Sequence, residues 1–343
     1  MVDLALYHEE YGFYASGSGA GRGGGDFLTS PEVGPLFGAV LARALDQWWD
    51  EVGRPDPYVA VEAGAGSGAL ASSILAAQPA CAPALRYVLV ERSAAWRAEH
   101  ARRLPLEPAS LVLATDPDDG APRDAGAGPL VASLDELPAG PFDGVVLANE
   151  LLDNLPFRLL QRSAGGWDEV MVGADLNEVL VQAPPDTEGL APEAPIGARV
   201  PVQRQAATWV RTALDSLRRG RVVVVDYADT TPSLAERPWT DWVRTYRGHA
   251  RGGAPLDNLG EQDVTCEVAV DQLPPADEDR SQADFLRAHG LDELVDDARR
   301  RWHERAHIGD LEALKARSTV NEGAALTDPS GLGAFRVLEW RAV

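Results

Sequence analysis

Tyr58-Val59-Ala60-Val61-Glu62-Ala63-Gly64-Ala65-Gly66-Ser67-Gly68-Ala69-Leu70 is the stretch that decides the fold. It opens as a short apolar run, passes an acidic residue, and breaks into a loop with glycine at every second position. Ala69-Leu70-Ala71-Ser72-Ser73-Ile74-Leu75 then resumes with helical spacing. Strand, glycine turn and helix start form a backbone arrangement that closely approaches a nucleotide-like ligand. Gly64, Gly66 and Gly68 carry no Cβ to hold a ligand away or to forbid the turn dihedrals. Gly64, Gly66 and Ala69 also satisfy the dinucleotide pattern G-x-G-x-x-G/A, so the loop alone leaves two cofactor classes open.

Outward from this loop, strand and helix patterns alternate. Tyr58–Glu62 reads as a strand, Ala69–Ala77 as a helix, Arg86–Glu91 as a second strand and Ser93–Arg103 as a second helix. Ser110–Thr115 reads as a third strand and Phe142–Ala148 as a fourth, the latter buried on both faces through Val145-Val146-Leu147. Alternation of this kind predicts a parallel, doubly wound α/β sheet. Upstream, Ser30 before Pro31 is a helix start, and Val33, Leu36, Phe37, Val40, Leu41, Leu45 and Trp48 give one apolar stripe to about Val52. From Phe157 to Val202 the period changes to 2, which predicts an antiparallel insertion with strands 158–162, 168–172 and 178–182. Helical spacing returns at Ala206–Leu217 and feeds the strand Val222-Val223-Val224-Val225, ending at Asp226-Tyr227. Residues 228–262 read as irregular, Gln282–Arg305 as one helix and Ala334–Trp340 as a terminal strand.

Composition narrows the function. The 343 residues are 45% apolar, and 53 acidic against 31 basic residues give a formal charge of −22. Such a surface repels phosphate backbones and anionic lipids, which argues against nucleic acid and membranes and favours cationic protein partners. No run of about 18 apolar residues occurs, so no membrane insertion is expected. Cys81 and Cys266 stand apart without metal-ligand spacing, and a reduced, cytoplasmic chain is the simplest reading.

In a parallel sheet, ligands sit at the carboxyl ends of the strands. The groups expected there are Glu62, the glycine loop, Glu91, Asp116 and the segment after Ala148. Glu91 can accept hydrogen bonds from both ribose hydroxyls of either cofactor class. Glu62 discriminates, because a carboxylate just before the first glycine is unfavourable beside a pyrophosphate but suits a ligand carrying an ammonium and a sulfonium. S-adenosylmethionine is therefore favoured over NAD, with Asp116 available to the adenine amino group.

Ala148-Asn149-Glu150-Leu151-Leu152-Asp153-Asn154-Leu155-Pro156 leaves the fourth strand where a transferred group would lie. If this segment is helical, Glu150 and Asp153 share a face at i and i+3. Asn149, Glu150 and Asp153 are the catalytic candidates, and Asn154 reads more simply as a cap. Paired carboxylates suit a guanidinium, whose pKa of roughly 12.5 or more demands groups that localise its charge and accept its proton.

At these residues the chain resembles the MidA-type family of S-adenosylmethionine-dependent methyltransferases, which includes a mitochondrial arginine methyltransferase that assists assembly of respiratory complex I. The resemblance is an ordered series. It runs through Leu6-Tyr7, Tyr11-Gly12-Phe13-Tyr14, Gly25-Asp26-Phe27-Leu28-Thr29-Ser30-Pro31-Glu32 and the glycine loop to Val90-Glu91. Ala148–Pro156, Gly166-Trp167-Asp168-Glu169, Val225-Asp226-Tyr227, Tyr246-Arg247-Gly248-His249, Asp263-Val264-Thr265 and Leu332–Val337 continue it. It implies a class I methyltransferase fold, a Rossmann-like seven-stranded sheet with an antiparallel terminal strand and inserted substrate-side segments. It implies that Asp26, Thr29 and Ser30 fold over the cofactor, and that His249, Asp263 and Thr265 line a substrate cleft built by the 157–202 and 228–270 insertions. Ala63-Gly64-Ala65-Gly66 departs from the family's usual Gly-Pro-Gly, and Ala228 from its usual glycine; neither removes a carboxylate.

The expected organisation is a covering N-terminal segment (1–55), a cofactor-binding core (56–156), the antiparallel insertion (157–202) and the remainder of the core (203–343). The expected function is methyl transfer from S-adenosylmethionine to an exposed arginine of a protein, and a homodimer is compatible with the chain. Methyl transfer to a small-molecule oxygen or nitrogen, and a non-catalytic assembly factor that holds the cofactor, are the alternatives.

Overall fold

The computed structural model describes residues 1–16, 29–113, 126–187, 189–190, 193–247 and 250–343. Seven strands form the central sheet: β1 (Tyr58–Ala63), β2 (Leu85–Val90), β3 (Leu130–Leu134), β4 (Phe142–Asn149), β5 (Leu217–Asp226), β6 (Glu278–Ser281) and β7 (Arg336–Ala342). Their order is β6-β7-β5-β4-β1-β2-β3. The five strands from β5 to β3 are parallel, whereas the C-terminal strand β7 is antiparallel. This is the Rossmann-like seven-stranded sheet with an antiparallel terminal strand that the resemblance implies. Val145-Val146-Leu147 of β4 and Val222 to Val225 of β5 are buried on both faces, as parallel strands under helices require.

The chain divides into two compact units. One comprises Met1–Phe27, Glu150–Thr212 and Asp226–Ala276; the other comprises Leu28–Asn149, Ala213–Val225 and Asp277–Val343 and holds the sheet.

In the sheet unit the expected helix from Ser30 to Val52 is two helices, Ser30–Val33 and Pro35–Glu51. Pro35 lacks an amide and disfavours the helical conformation at the residue before it, so Gly34 is extended and the helix restarts. Leu36, Phe37, Val40, Leu41, Leu45 and Trp48 of the second piece are buried. The expected strand Ser110–Thr115 is replaced, over its described residues, by a helical turn Ala109–Val112, and the third strand is Leu130–Leu134. A short apolar run does not by itself distinguish these two states. The single helix expected over Gln282–Arg305 is divided at Gly290, whose φ of +89° caps the first piece. A further helix, Leu311–Leu326, lies beyond the expected elements. Its Glu322 accepts the Leu36 amide (3.0 Å) at the start of Pro35–Glu51.

The other unit carries the antiparallel insertion. Strands Glu178–Gln182, Gly166–Val172, Arg158–Ser163 and Arg199–Val202 lie in that order. Residues 228–262, read as irregular, contain helices Thr231–Glu236 and Trp239–Trp242 and the strand Val243–Arg247, which pairs with Asp263–Cys266. Val2, Leu6, Leu234, Trp242, Val243, Val264, Cys266 and Ala269 pack into one core there. Among the described residues no helix is long and apolar enough to cross a membrane.

Candidate functional site

In the sheet unit, Ala63 of β1 lies beside Val90 of β2 and Ala148 of β4. The glycine loop, Glu91 and Asn149 therefore leave the sheet next to one another at its carboxyl edge. Gly64, Gly66 and Gly68 have φ of +69°, +50° and +76°, values that side chains resist. The amides of Gly64 and Ala65 donate to the Val90 carbonyl (2.9 and 3.1 Å), and the Gly66 amide donates to Glu91 Oε2 (3.0 Å). Glu91 Oε1 takes the Ser93 amide (2.8 Å), so both carboxylate oxygens are oriented from behind. Among the described residues, a Cβ added at Gly66 would meet nothing within 4 Å. The loop is thus fixed on one side and open on the other.

His100 completes that support. Its Nε2 lies 2.8 Å from the Gly66 carbonyl and its Nδ1 2.9 Å from Ser133 Oγ. A carbonyl only accepts, so Nε2 carries the proton and Nδ1 accepts from the hydroxyl. Burial lowers the His100 pKa, which keeps the ring neutral in this role.

Glu62 is buried (5% exposed), and the Tyr87 hydroxyl donates to its Oε2 at 2.8 Å. Burial pushes its pKa up to about 7. Its carboxyl thus has an internal partner beneath the loop. Thr29, not Ser30, is the N-cap of Ser30–Val33, and its amide reaches Glu32 Oε2 at 3.5 Å. Ser30 is fully buried and its hydroxyl donates to Gln282 Oε1 (2.8 Å), an internal contact in place of the expected cap. Asp26, Asp116 and His249 lie outside the described residues.

In the other unit, Glu150 has a left-handed φ of +52°, and a single 3₁₀ turn, Leu152–Asn154, follows. The α-helical i, i+3 face expected for Glu150 and Asp153 is therefore absent, because Glu150 lies outside the right-handed helical conformation and only the single 3₁₀ turn follows. Asp226, fully buried, organises the turn instead. Its Oδ2 accepts the amides of Leu152 (2.9 Å) and Asp153 (3.2 Å), and its Oδ1 accepts that of Tyr227 (2.9 Å).

Asp153 is 2% exposed, and its Oδ1 has no hydrogen-bond partner among the described residues. Burial first, then the charges of Asp226 and Asp263, raise its pKa well above the ordinary carboxylate range. Burial and the Glu150 charge raise Asp226 as well. Of the pair, Asp226 is the better anion because three amides point at it, so a proton entering the cluster goes to Asp153.

Asp263 stands across this turn. Its Oδ1 accepts from the Tyr14 hydroxyl (3.0 Å), Asn154 Nδ2 (3.1 Å) and its neighbour's amide on Val264 (2.9 Å). Burial still lifts its pKa to about 6. The Asn154 side chain is thus a bridge to Asp263 and not a helix cap. The Tyr7 hydroxyl donates to the Asn154 carbonyl (3.2 Å), and the Tyr7 and Tyr14 rings stack at 5.5 Å. Thr265 is buried in the strand that starts at Asp263, opposite Arg244.

The structure therefore gathers Glu150, Asp153, Asp263 and Thr265 in one unit and the glycine loop, Glu91 and Asn149 in the other. Sequence reasoning assigns no role to Asp226, His100 or Tyr14. Asp226 carries a signal, a carboxylate at the end of the most apolar strand. Tyr14 meets Asp263 across 249 positions, a pairing no local pattern reveals.

A family model described as "Putative S-adenosyl-L-methionine-dependent methyltransferase" matches residues 40–288. The chain is 26% identical over 286 residues to the mitochondrial "protein arginine methyltransferase NDUFAF7 homolog" of Drosophila melanogaster, covering 77% of this chain and 62% of that protein. It is 27% identical over 323 residues to the mitochondrial protein arginine methyltransferase NDUFAF7 of Danio rerio, covering 84% and 71%. It thus spans less than two thirds of the fly relative. A crystal structure of a COG1565-superfamily protein from Burkholderia thailandensis, bound to S-adenosylhomocysteine, superposes with a TM-score of 0.73 at 26% identity. That match covers 98% of this chain and 85% of the other. The open face at Gly66 and the amide-held Glu91 carboxylate fit such an adenosyl ligand, which needs close backbone approach and an acceptor for ribose hydroxyls.

Proposed function

Because the chain belongs to the S-adenosyl-L-methionine-dependent methyltransferase family matched over residues 40–288, we propose that it methylates a guanidinium nitrogen of arginine in a protein substrate. The observation that carries this reading is the buried carboxyl cluster at the Glu150–Asn154 turn, with Asp153 Oδ1 an acceptor that no described protein donor fills. The names of the fly and fish relatives support the same acceptor. A part in assembling respiratory complex I would follow if the methylated protein is one of its subunits.

S-adenosylmethionine supplies a methyl carbon activated by a positively charged sulfur. In this reading the glycine loop and Glu91 hold the adenosyl portion. Asp153 and Glu150 draw the guanidinium in, and Asp263, held by Tyr14 and Asn154, adds a third negative group. As the nitrogen gains the methyl group it loses a proton, which Asp153 accepts. Its raised pKa makes it a stronger base than an exposed carboxylate. Labelled methyl transfer to arginine-bearing peptides, followed by hydrolysis and identification of the methylated amino acid, tests the reading. Label on arginine supports it; label on a small molecule or on none overturns it.

Glu91→Ala should weaken S-adenosylmethionine binding by about ten- to a hundredfold, the loss expected for hydrogen bonds to a charged acceptor. Calorimetric titration checks this, and unchanged affinity removes Glu91 from the cofactor site.

The pH dependence of rate and stability should have opposite signs. Turnover needs Asp153 ionised, so it should fall as falling pH protonates that raised carboxyl, with Asp263, at about 6, adding to the loss. Glu62 and Asp263, at about 7 and about 6, bind protons more readily folded than unfolded. They therefore make the folded chain more stable as pH falls from about 7 to about 5. Asp143, held near 2 by Arg218 and Arg219, stays ionised across that window. Methyl-transfer rates and Tm measured over the same pH series test the pairing; parallel trends contradict it.

A further inference from the structure

The strand Glu178–Gln182 ends the antiparallel sheet and, among the described residues, pairs with one neighbour only, Gly166–Val172. All five of its residues are exposed. Val179, Leu180 and Val181 are 47%, 44% and 42% exposed, and Met171, opposite Val179, is also exposed. Free edges are normally blunted by lysine, proline or a bulge within the strand, and this one carries none of these. Its single charged residue, Glu178, is already neutralised by a bidentate ion pair with Arg199.

We propose that this edge is a self-association surface, on which two copies of the chain pair their Glu178–Gln182 strands antiparallel about a two-fold axis at Leu180. The five residues are self-complementary in that register. Glu178 faces Gln182 of the second copy, an amide against a carboxylate, so no like charges are opposed. Val179 faces Val181, and Leu180 faces its own symmetry mate. Val179 and Val181 project to one face, so the two copies place four valines in a row there, flanked by Met171. A two-fold contact of this kind closes on itself and joins two four-stranded sheets into one continuous sheet. The opposing term is electrostatic, since each copy carries a formal charge of −22. The dimer should therefore tighten as salt rises and the Debye length shrinks to about 8 Å or less. A cationic partner on the same strand would show the reverse.

Sedimentation equilibrium of the full chain over a micromolar concentration series tests this. A monomer–dimer equilibrium that strengthens with salt is expected. Leu180→Asp, which opposes two carboxylates on the axis, should weaken it by about tenfold or more, and Gln182→Glu should weaken it less. Gln182→Lys, which adds a positive charge at the seam of two copies that each carry a formal charge of −22, should tighten it. Leu314→Asp, on an exposed helix position elsewhere, should leave it unchanged. Unaltered S-adenosylmethionine binding and circular dichroism establish that the variants fold. A chain that remains monomeric, or whose dimer ignores Leu180→Asp, overturns the proposal. So does an edge that stays monomeric and instead takes an added extended cationic peptide.

Discussion

Asp153→Asn is expected to leave S-adenosylmethionine affinity intact and to slow methyl transfer by about a thousandfold, within the range a positioned proton acceptor contributes. The substitution preserves shape, so the effect isolates charge and basicity. Asp153 is nearly sealed from solvent, its Oδ1 has no donor among the described residues, and two further carboxyls raise its proton affinity. An amide at that position cannot take a proton from a guanidinium and cannot offset its charge. The groups proposed to hold the cofactor, Glu91 and the glycine loop, belong to the other compact unit, so binding and turnover should separate. A variant with near-parental turnover sinks the assignment. One that loses cofactor affinity together with rate would instead mark Asp153 as part of the cofactor site.

Local chemistry decides which features of this chain are legible in its sequence. The glycine loop is readable because positive φ at alternate positions demands glycine, and glycine is visible in a sequence. The runs at Val145–Leu147 and Val222–Val225 are visible because strands buried on both faces need unbroken apolar residues. Leu111-Val112-Leu113 misleads for the same reason, since an apolar run that short satisfies a helical turn equally well. The break at Gly34-Pro35 is available in principle, as proline restricts its predecessor, but a continuous apolar stripe outweighs it.

The carboxyl cluster is half visible. Glu150 and Asp153 stand out because four polar side chains follow a buried strand. Their geometry does not, because the left-handed backbone at Glu150 is strain that only tertiary contacts impose on a non-glycine residue. Asp226 and Asp263 reach the turn from positions 73 and 109 residues beyond the groups they bind, and sequence spacing is silent at that range.

Asp226→Ala should be the most damaging single change in this unit. It strips the acceptor from two buried amides, those of Leu152 and Asp153, at about 1–3 kcal/mol each, and from the half-buried amide of Tyr227. It also relieves the repulsion that Asp226 shares with Asp153 and Glu150, which offsets part of that loss. A net destabilisation of about 3 kcal/mol is expected, measured by denaturant unfolding. Turnover should fall by more than tenfold, because the turn that aims Asp153 loses its anchor. The direction of one further shift separates anchoring alone from electrostatic coupling. Without the Asp226 charge Asp153 holds its proton less tightly, so the acidic limb of the residual pH–rate profile should move to lower pH. Asp226→Asn should move the limb the same way with a smaller stability loss, because its carbonyl still accepts from one side of the turn. A lower rate with an unmoved limb in both variants would reduce Asp226 to a structural acceptor and leave Asp153 to be tuned by burial and Asp263 alone.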